Sequence, residues 1–220
     1  MTFNFFNVII KEQTYLNLIY LLLAFPLGIF YFVFLTTGLS LGIGLAITLI
    51  GIPLLALMTV AWYGLGLFER IVSMGLLDLK IDSMSNNALR EKTIWKKLSK
   101  HLSNSATWKS LGYLFIKFPL GILSFVLLVT LLSVSLSLIA TPIVYYFSII
   151  FPNFNFMVIN GIQIINGYGS AFVFSIIGIL LLFISLHILN GLAYLSGLLA
   201  QGLLSGSGKK SRVVKKRKKK

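Results

Sequence analysis

Two long stretches of the chain contain no charged residue, and they restrict it to folds that are embedded in a membrane. No Asp, Glu, Lys or Arg occurs between Glu12 and Glu69 or between Lys117 and Lys209. Charged residues make up 11% of the sequence and hydrophobic residues 57%, whereas soluble domains carry roughly 25% charged residues. The sequence therefore predicts an integral membrane protein.

Apolar runs predict four membrane-spanning helices, because one span needs about 20 mostly apolar residues. Two of them fill the first uncharged stretch and are joined by a tight connection at Thr37-Gly38-Leu39. The other two fill the second stretch. The four helices are expected at residues 15–36, 40–63, 111–138 and 171–200.

The basic residues predict how these helices are oriented. The segments 1–14, 64–110 and 201–220 contain 18 of the 19 Lys and Arg residues, and we expect Lys117 to snorkel toward the same membrane surface. Loops rich in Lys and Arg face the cytoplasm. The prediction is a multi-pass protein of the plasma membrane with both termini in the cytoplasm. A fifth span at 143–159 is rejected because it would place the basic tail outside.

The chain also repeats itself. The run F-P-L-G-I at 25–29 recurs 93 residues later, at 118–122, and the ends of the two halves match at a shift of 127. The second half therefore equals the first with about 34 residues inserted between its helices. We expect a four-helix domain over 1–205, built from two tandem hairpin repeats in the same orientation. The repeats are expected at 13–79 and 106–205, with an outer insertion at 139–170 and a disordered basic tail at 206–220.

Several runs resemble the putative sensor domain family, over roughly 13–205. They include Y-L-L-L-A-F-P-L-G-I-F-Y-F at 20–32, G-I-P-L-L-A-L at 51–57 and H-I-L-N-G-L-A-Y-L-S-G at 187–197. The resemblance implies a four-helix membrane domain of the kind that often precedes a histidine kinase. Because 15 residues follow Ser205, we expect no output module of its own.

Two prolines inside predicted helices are candidate hinges. Each removes a backbone hydrogen bond, and a glycine two residues later softens the same turn. The candidate hinge residues are Pro26, Gly28, Pro119 and Gly121. The alternative interpretation is a static kink that shapes helix packing.

His187 and Asn190 form a candidate intramembrane polar site, because polar side chains within a span are costly and need partners. A hydrogen bond between them, to Ser185 or to the helix backbone is the structural alternative. With no cysteine, two histidines and five acidic residues in the chain, we expect no metal, no cofactor and no catalytic set.

The outer insertion is predicted to contain a β-hairpin at 154–165, because Asn160-Gly161 suits a type I′ turn. Its aromatic residues form either a ligand surface for an apolar or lipid-like molecule or a packing cap. The candidate surface consists of Tyr145, Tyr146, Phe151, Phe154 and Phe156. On the cytoplasmic side, an interfacial helix that continues the second span is predicted at 65–79, and a basic amphipathic helix at 87–102.

The basic tail is expected to bind anionic lipid headgroups of the inner leaflet. The residues expected to touch lipid are Lys215, Lys216, Arg217, Lys218, Lys219 and Lys220. The other partners expected are the lipid bilayer and either a second copy of the chain or a separate signalling protein. No specific nucleic acid is expected, because the sequence offers no folded reader.

These features favour a membrane-embedded sensor that detects an apolar or membrane-borne signal and acts through a separate partner. The alternatives are a small transporter or lipid-handling protein, and a structural membrane adaptor. A transporter would be expected to place charged or strongly polar groups in the middle of the bilayer. Only His187 and Asn190 are expected to offer such groups, so this alternative is disfavoured. We do not expect an enzyme, because no nucleophile and base can be paired.

Overall fold

A computed structural model describes residues 8–48, 50–79, 81, 105–151, 158–159, 162–163 and 165–205. This part of the chain contains five α-helices, and four of them are long and apolar enough to cross a membrane. The prediction of four spanning helices is therefore confirmed. The helices are α1 (Glu12–Gly44), α2 (Gly51–Leu77), α3 (Ser105–Ile139), α4 (Thr141–Ile150) and α5 (Tyr168–Leu204).

The connection between α1 and α2 lies later than predicted. The tripeptide Thr37-Gly38-Leu39 is helical, and the chain turns between Leu45 and Ile50 instead. Gly38 and Gly42 lie inside α1 because α2 packs closely against them: a Cβ on Gly38 would collide with Met58, and one on Gly42 would lie 2.5 Å from Leu55. Small residues of this kind let membrane helices approach each other, so they are packing positions and not breaks.

Helix α2 is one continuous helix of 27 residues, so the helix predicted at 65–79 does continue the second span, although Gly66, Glu69 and Ser73 within it are buried in the protein. The helix ends at Leu77, where Asp78 adopts a left-handed backbone conformation with φ of 49°. The guanidinium of Arg70 then donates to the Ile81 carbonyl at 2.6 Å, which ties the following chain to the last turns of α2. The amphipathic helix predicted at 87–102 lies outside the described residues.

The outer insertion begins with α4, a helix that was not predicted from the sequence. This apolar helix has 10 residues and is about 15 Å long, too short to cross a hydrocarbon core of about 30 Å. Pro142 suits its first turn, where no intrahelical N–H bond is lost. Further on, Val158–Ile159 pairs antiparallel with Ile162–Gln163. The rest of the hairpin predicted at 154–165 lies mostly outside the described residues, so that hairpin stays a prediction.

The chain divides into two compact units. Unit 1 contains Met1–Ile29 and Phe118–Ser196, and unit 2 contains Phe30–Lys117 and Gly197–Lys220. The division therefore crosses α1 between Ile29 and Phe30, and α3 between Lys117 and Phe118. Both crossing points lie within four residues of a helix proline, Pro26 or Pro119.

In unit 1, α1 and α3 approach each other closely at a glycine. A Cβ on Gly121 would collide with the carbonyl group of Ala24, and the rings of Phe25 and Phe125 stack beside this contact with centroids 4.6 Å apart. Because lipid is as apolar as the side chains, such helix pairs depend on close van der Waals contact. Gly121 is therefore a packing position, whatever its part in a hinge.

This contact gives a matched test. Gly121→Ala should lower the free energy of unfolding by about 1–3 kcal/mol, since the added methyl group meets rigid backbone. Gly112→Ala is the control, because a Cβ at Gly112 meets nothing within 4 Å. Thermal unfolding of both variants in detergent measures the difference. Equal stability of the two variants would contradict the close approach.

Candidate functional site

The polar site of the bundle begins with an acidic residue on the inner face of α2. Gly66, Glu69 and Ser73 follow each other at helical spacing and are buried, whereas Phe68 and Ile71 of the same turns are exposed. Glu69 has no solvent-accessible surface and lies within a candidate membrane span. A carboxylate in such a place needs partners from the protein, because neither water nor lipid supplies them.

Three side chains supply those partners. The ammonium group of Lys117 on α3 donates to Glu69 Oε1 at 2.6 Å, and its side chain is 3% exposed. The hydroxyl groups of Tyr31 on α1 and Tyr113 on α3 donate to Oε2 at 3.0 Å and to Oε1 at 3.2 Å. We refer to Tyr31, Glu69, Tyr113 and Lys117 as the carboxylate cluster. All four residues belong to unit 2.

The carboxylate cluster corrects two expectations. Lys117 does not snorkel to the membrane surface, because its ammonium group is buried against Glu69. The spans also hold a stronger polar group than His187 and Asn190, and this removes the argument that disfavoured a transporter. A paired carboxylate and ammonium carry no net charge together, and the two tyrosines occupy further lone pairs of the carboxylate.

Of the two predicted polar residues, Asn190 belongs to a second hydrogen-bond network, which lies in unit 1. Asn190 accepts from Asn17 Nδ2 at 2.8 Å and donates to Thr14 Oγ1 at 3.2 Å, and Gln13 donates to Asn17 at 2.9 Å. His187 Nδ1 instead lies 2.8 Å from the backbone carbonyl of Phe183. The two residues thus have different partners, and Asn190 links α5 to the first turns of α1.

The other predicted residues are spread over the chain. Pro26 and Pro119 lie inside unbroken helices, and Gly28 and Gly121 are buried. Tyr145 contacts Tyr168 edge to face at 4.9 Å, while Tyr146 and Phe151 are more than half exposed. Phe154, Phe156 and the basic tail 215–220 lie outside the described residues. Within the described ranges, no three His, Asp or Glu side chains gather as a metal-binding group.

The carboxylate cluster was missed because each charge lies at the edge of an uncharged stretch. Glu69 was assigned to a surface helix and Lys117 to a helix end, where a charge needs no special partner. Each charge nevertheless stands alone in an apolar run, as in Y-L-F-I-K-F-P-L at 113–120. Two isolated charges of opposite sign in neighbouring spans predict an ion pair, because each charge needs a partner within the membrane.

The fold and the site define a multi-pass helical membrane protein whose bundle encloses a carboxylate–ammonium pair. Comparison with known families places it further. The sequence model of the family described as "Putative sensor" matches residues 20–204, and the chain belongs to this family. Neither a curated protein nor a solved structure matches the chain.

A double-mutant cycle measures the charged pair. Glu69→Gln and Lys117→Met should each cost about 3–5 kcal/mol of stability, because each leaves one buried charge without its partner. The double variant should recover most of that loss, since it leaves no charge behind. Tyr31→Phe, which removes one hydrogen bond and no charge, is the control with a smaller effect. Additive losses in the double variant, measured by unfolding in detergent, would contradict the pairing.

Proposed function

We propose that the protein is a membrane-embedded sensor unit that responds to an apolar or membrane-borne signal and passes it to a separate partner. Membership of the sensor family supports this function. Large apolar side chains are exposed along α1, α2, α3 and α5, so a signal dissolved in the bilayer meets the helices directly. The basic segments at 80–109 and 209–220 are suited to an acidic partner or to anionic lipid.

The observation that carries this proposal is the position of the carboxylate cluster beside the helix prolines. Tyr31 follows Pro26 by five residues, and Lys117 precedes Pro119 by two. The division between the compact units crosses both helices within the same turns. A change of bend at Pro26 or Pro119 would therefore move a donor relative to Glu69. A hinged helix of this kind has two states. In the closed state the donors contact Glu69, and in the open state at least one of them has moved away.

Spin labels within one helix test the hinge. In wild type, labels at Tyr15 and Phe34, both exposed, lie about 28 Å apart along α1. We expect this distance to change between vesicles of short and long acyl chains, and to change less in Pro26→Ala. Labels at Trp108 and Val129 test Pro119→Ala in α3 in the same way. Pro53→Ala, in the first turn of α2, is the control substitution. If both hinge variants respond like wild type, the prolines are static kinks.

We further infer that the chain consists of two hairpin repeats. Burial supports this inference, since Tyr20 and Tyr113 are both buried at a shift of 93, and Trp62 and Leu189 at a shift of 127. The helix connections support it more strongly. A Cβ on Gly51 would collide with the backbone of Leu45 and Ala46, and one on Gly178 would meet Leu138 and Ile139. Gly178 corresponds to Gly51 at the shift of 127, and Leu138 and Ile139 correspond to Leu45 and Ala46 at the shift of 93. The two connections therefore have equivalent contacts.

The basic loops predict that both termini and residues 64–110 lie in the cytoplasm and the insertion 139–170, with its predicted hairpin, outside, which requires α2 and α3 to run antiparallel. Their contacts instead advance together along both helices, from Trp62 with Trp108 to Glu69 with Tyr113, so α2 and α3 run in the same direction in unit 2.

Labelling of single cysteines decides between the two arrangements. Cysteines at Ser105 and Ser207 should be protected from an impermeant thiol reagent in intact cells, and a cysteine at Asn160 should react. The chain has no native cysteine, so each variant reports one position. Labelling of Ser207→Cys in intact cells would overturn this topology, and labelling after permeabilisation is the control.

A small transporter is the second candidate function, and the carboxylate cluster favours it. Ionisable residues within spans frequently mark a transport path. The two functions make different demands on the cluster. A transporter must open its site to each membrane surface in turn, whereas a sensor can keep Glu69 and Lys117 buried in both of its states.

A further inference from the structure

Two buried hydrogen-bond donors near the beginning of α3 have no partner. They are the indole Nε1 of Trp62 on α2 and the hydroxyl of Thr107 on α3. Trp62 is 4% exposed and Thr107 is fully buried. Buried polar groups are nearly always hydrogen-bonded, so two unpaired donors at one place call for an explanation.

Packing between α2 and α3 places these two donors at the same level. A Cβ on Gly66 would lie 2.8 Å from Ser110 Cβ, which makes this pair the closest approach of the two helices that involves a glycine. Trp62 lies one turn before Gly66, and Thr107 lies one turn before Ser110. The rings of Trp62 and Trp108 are also 6.0 Å apart. Both donors thus lie where α3 begins.

The start of a long helix adds further donors. The first four backbone N–H groups of a helix have no acceptor within it, and the helix dipole gives this end a partial positive charge. Helix α3 has 35 residues and no acidic residue in its first turn. Lys109, in the second turn, is exposed. An anion is therefore the ligand that this end of α3 favours.

The start of α1 is the equivalent position in the first repeat, and it has a carboxylate that the start of α3 lacks. Helix α1 begins with its own carboxylate, Glu12, and the residue 93 positions later is Ser105. The hydroxyl of Thr14 is paired with Asn190, whereas the equivalent hydroxyl of Thr107 is unpaired. Among the described residues, the chain thus supplies an anion in the first turn of α1 and none in the first turn of α3.

We propose that the start of α3 binds a phosphate group, and that the group belongs to an anionic phospholipid. Trp62 Nε1, Thr107 Oγ1 and the first-turn N–H groups donate to it. Tryptophans are typical of the headgroup level, and Trp108 is half exposed. Beyond it, a Cβ on Gly112 would meet nothing within 4 Å, and Ile116 is 42% exposed. This open apolar face is suited to an acyl chain. The site is independent of the proposed sensor function.

The full chain in detergent tests the site with phosphatidylglycerol as the probe and phosphatidylcholine as the neutral reference. Thermal unfolding should show that phosphatidylglycerol protects wild type more than phosphatidylcholine does. Thr107→Val and Trp62→Phe should each weaken the apparent affinity for phosphatidylglycerol about tenfold, the effect of one hydrogen bond to a charged group. Thr130→Val, at an exposed position near the other end of α3, should retain the wild-type affinity. The basic tail is the same in all variants, so it cannot produce the difference.

Ser105→Glu provides a second test that leaves both donors in place. It gives α3 the carboxylate that α1 has, so it should raise stability without lipid and abolish the specific protection by phosphatidylglycerol. Inorganic phosphate separates the two sources of the group. Equal protection of wild type by phosphate alone would show that a free anion is the ligand and overturn the lipid assignment. Unchanged lipid affinity in Thr107→Val, Trp62→Phe and Ser105→Glu would overturn the site.

Discussion

A single carboxylate within a membrane span is so costly that its partners determine how the surrounding helices pack. Glu69 on α2 obtains those partners from α3 and from the later half of α1. Moving any of these helices by one turn would leave a buried charge alone, which costs far more than a lost apolar contact in lipid. The pair therefore fixes the register of the helices in unit 2, and the apolar residues fill the space that remains.

Hydropathy predicted that four helices exist but not where they begin and end. Apolar runs reveal spans because lipid excludes unpaired backbone groups. They say little about ends, since Gly38 and Gly42 look like a turn and are packing positions in α1. Hydropathy also misplaced the end of the second span, which was predicted at 63, whereas α2 ends at Leu77. Its last turns carry charges that a surface helix would also carry, and burial of Glu69 depends on helices distant in sequence.

Of the polar residues within the spans, the sequence predicted only those that are conspicuous when taken one at a time. Asn190 stood out within an apolar run, but its partners Asn17 and Thr14 lie more than 170 residues earlier in the chain. Pairing over such a distance is a property of the fold and is not visible in spacing. The carboxylate cluster is a harder case, because each of its charges had an ordinary explanation when taken alone.

Comparison of the two inferred repeats shows that the buried charges break their symmetry. The positions equivalent to Glu69 and Lys117 are Ser196 and Ala24, and Ser124 stands where the first repeat has Tyr31. A symmetric dimer of one hairpin would have to bury each charge twice and bear the desolvation cost twice. A duplicated chain escapes that constraint, because one copy can lose its charges while the other keeps them. A fusion of two hairpins would thus give the bundle a charged pair in one half only, and two distinguishable halves.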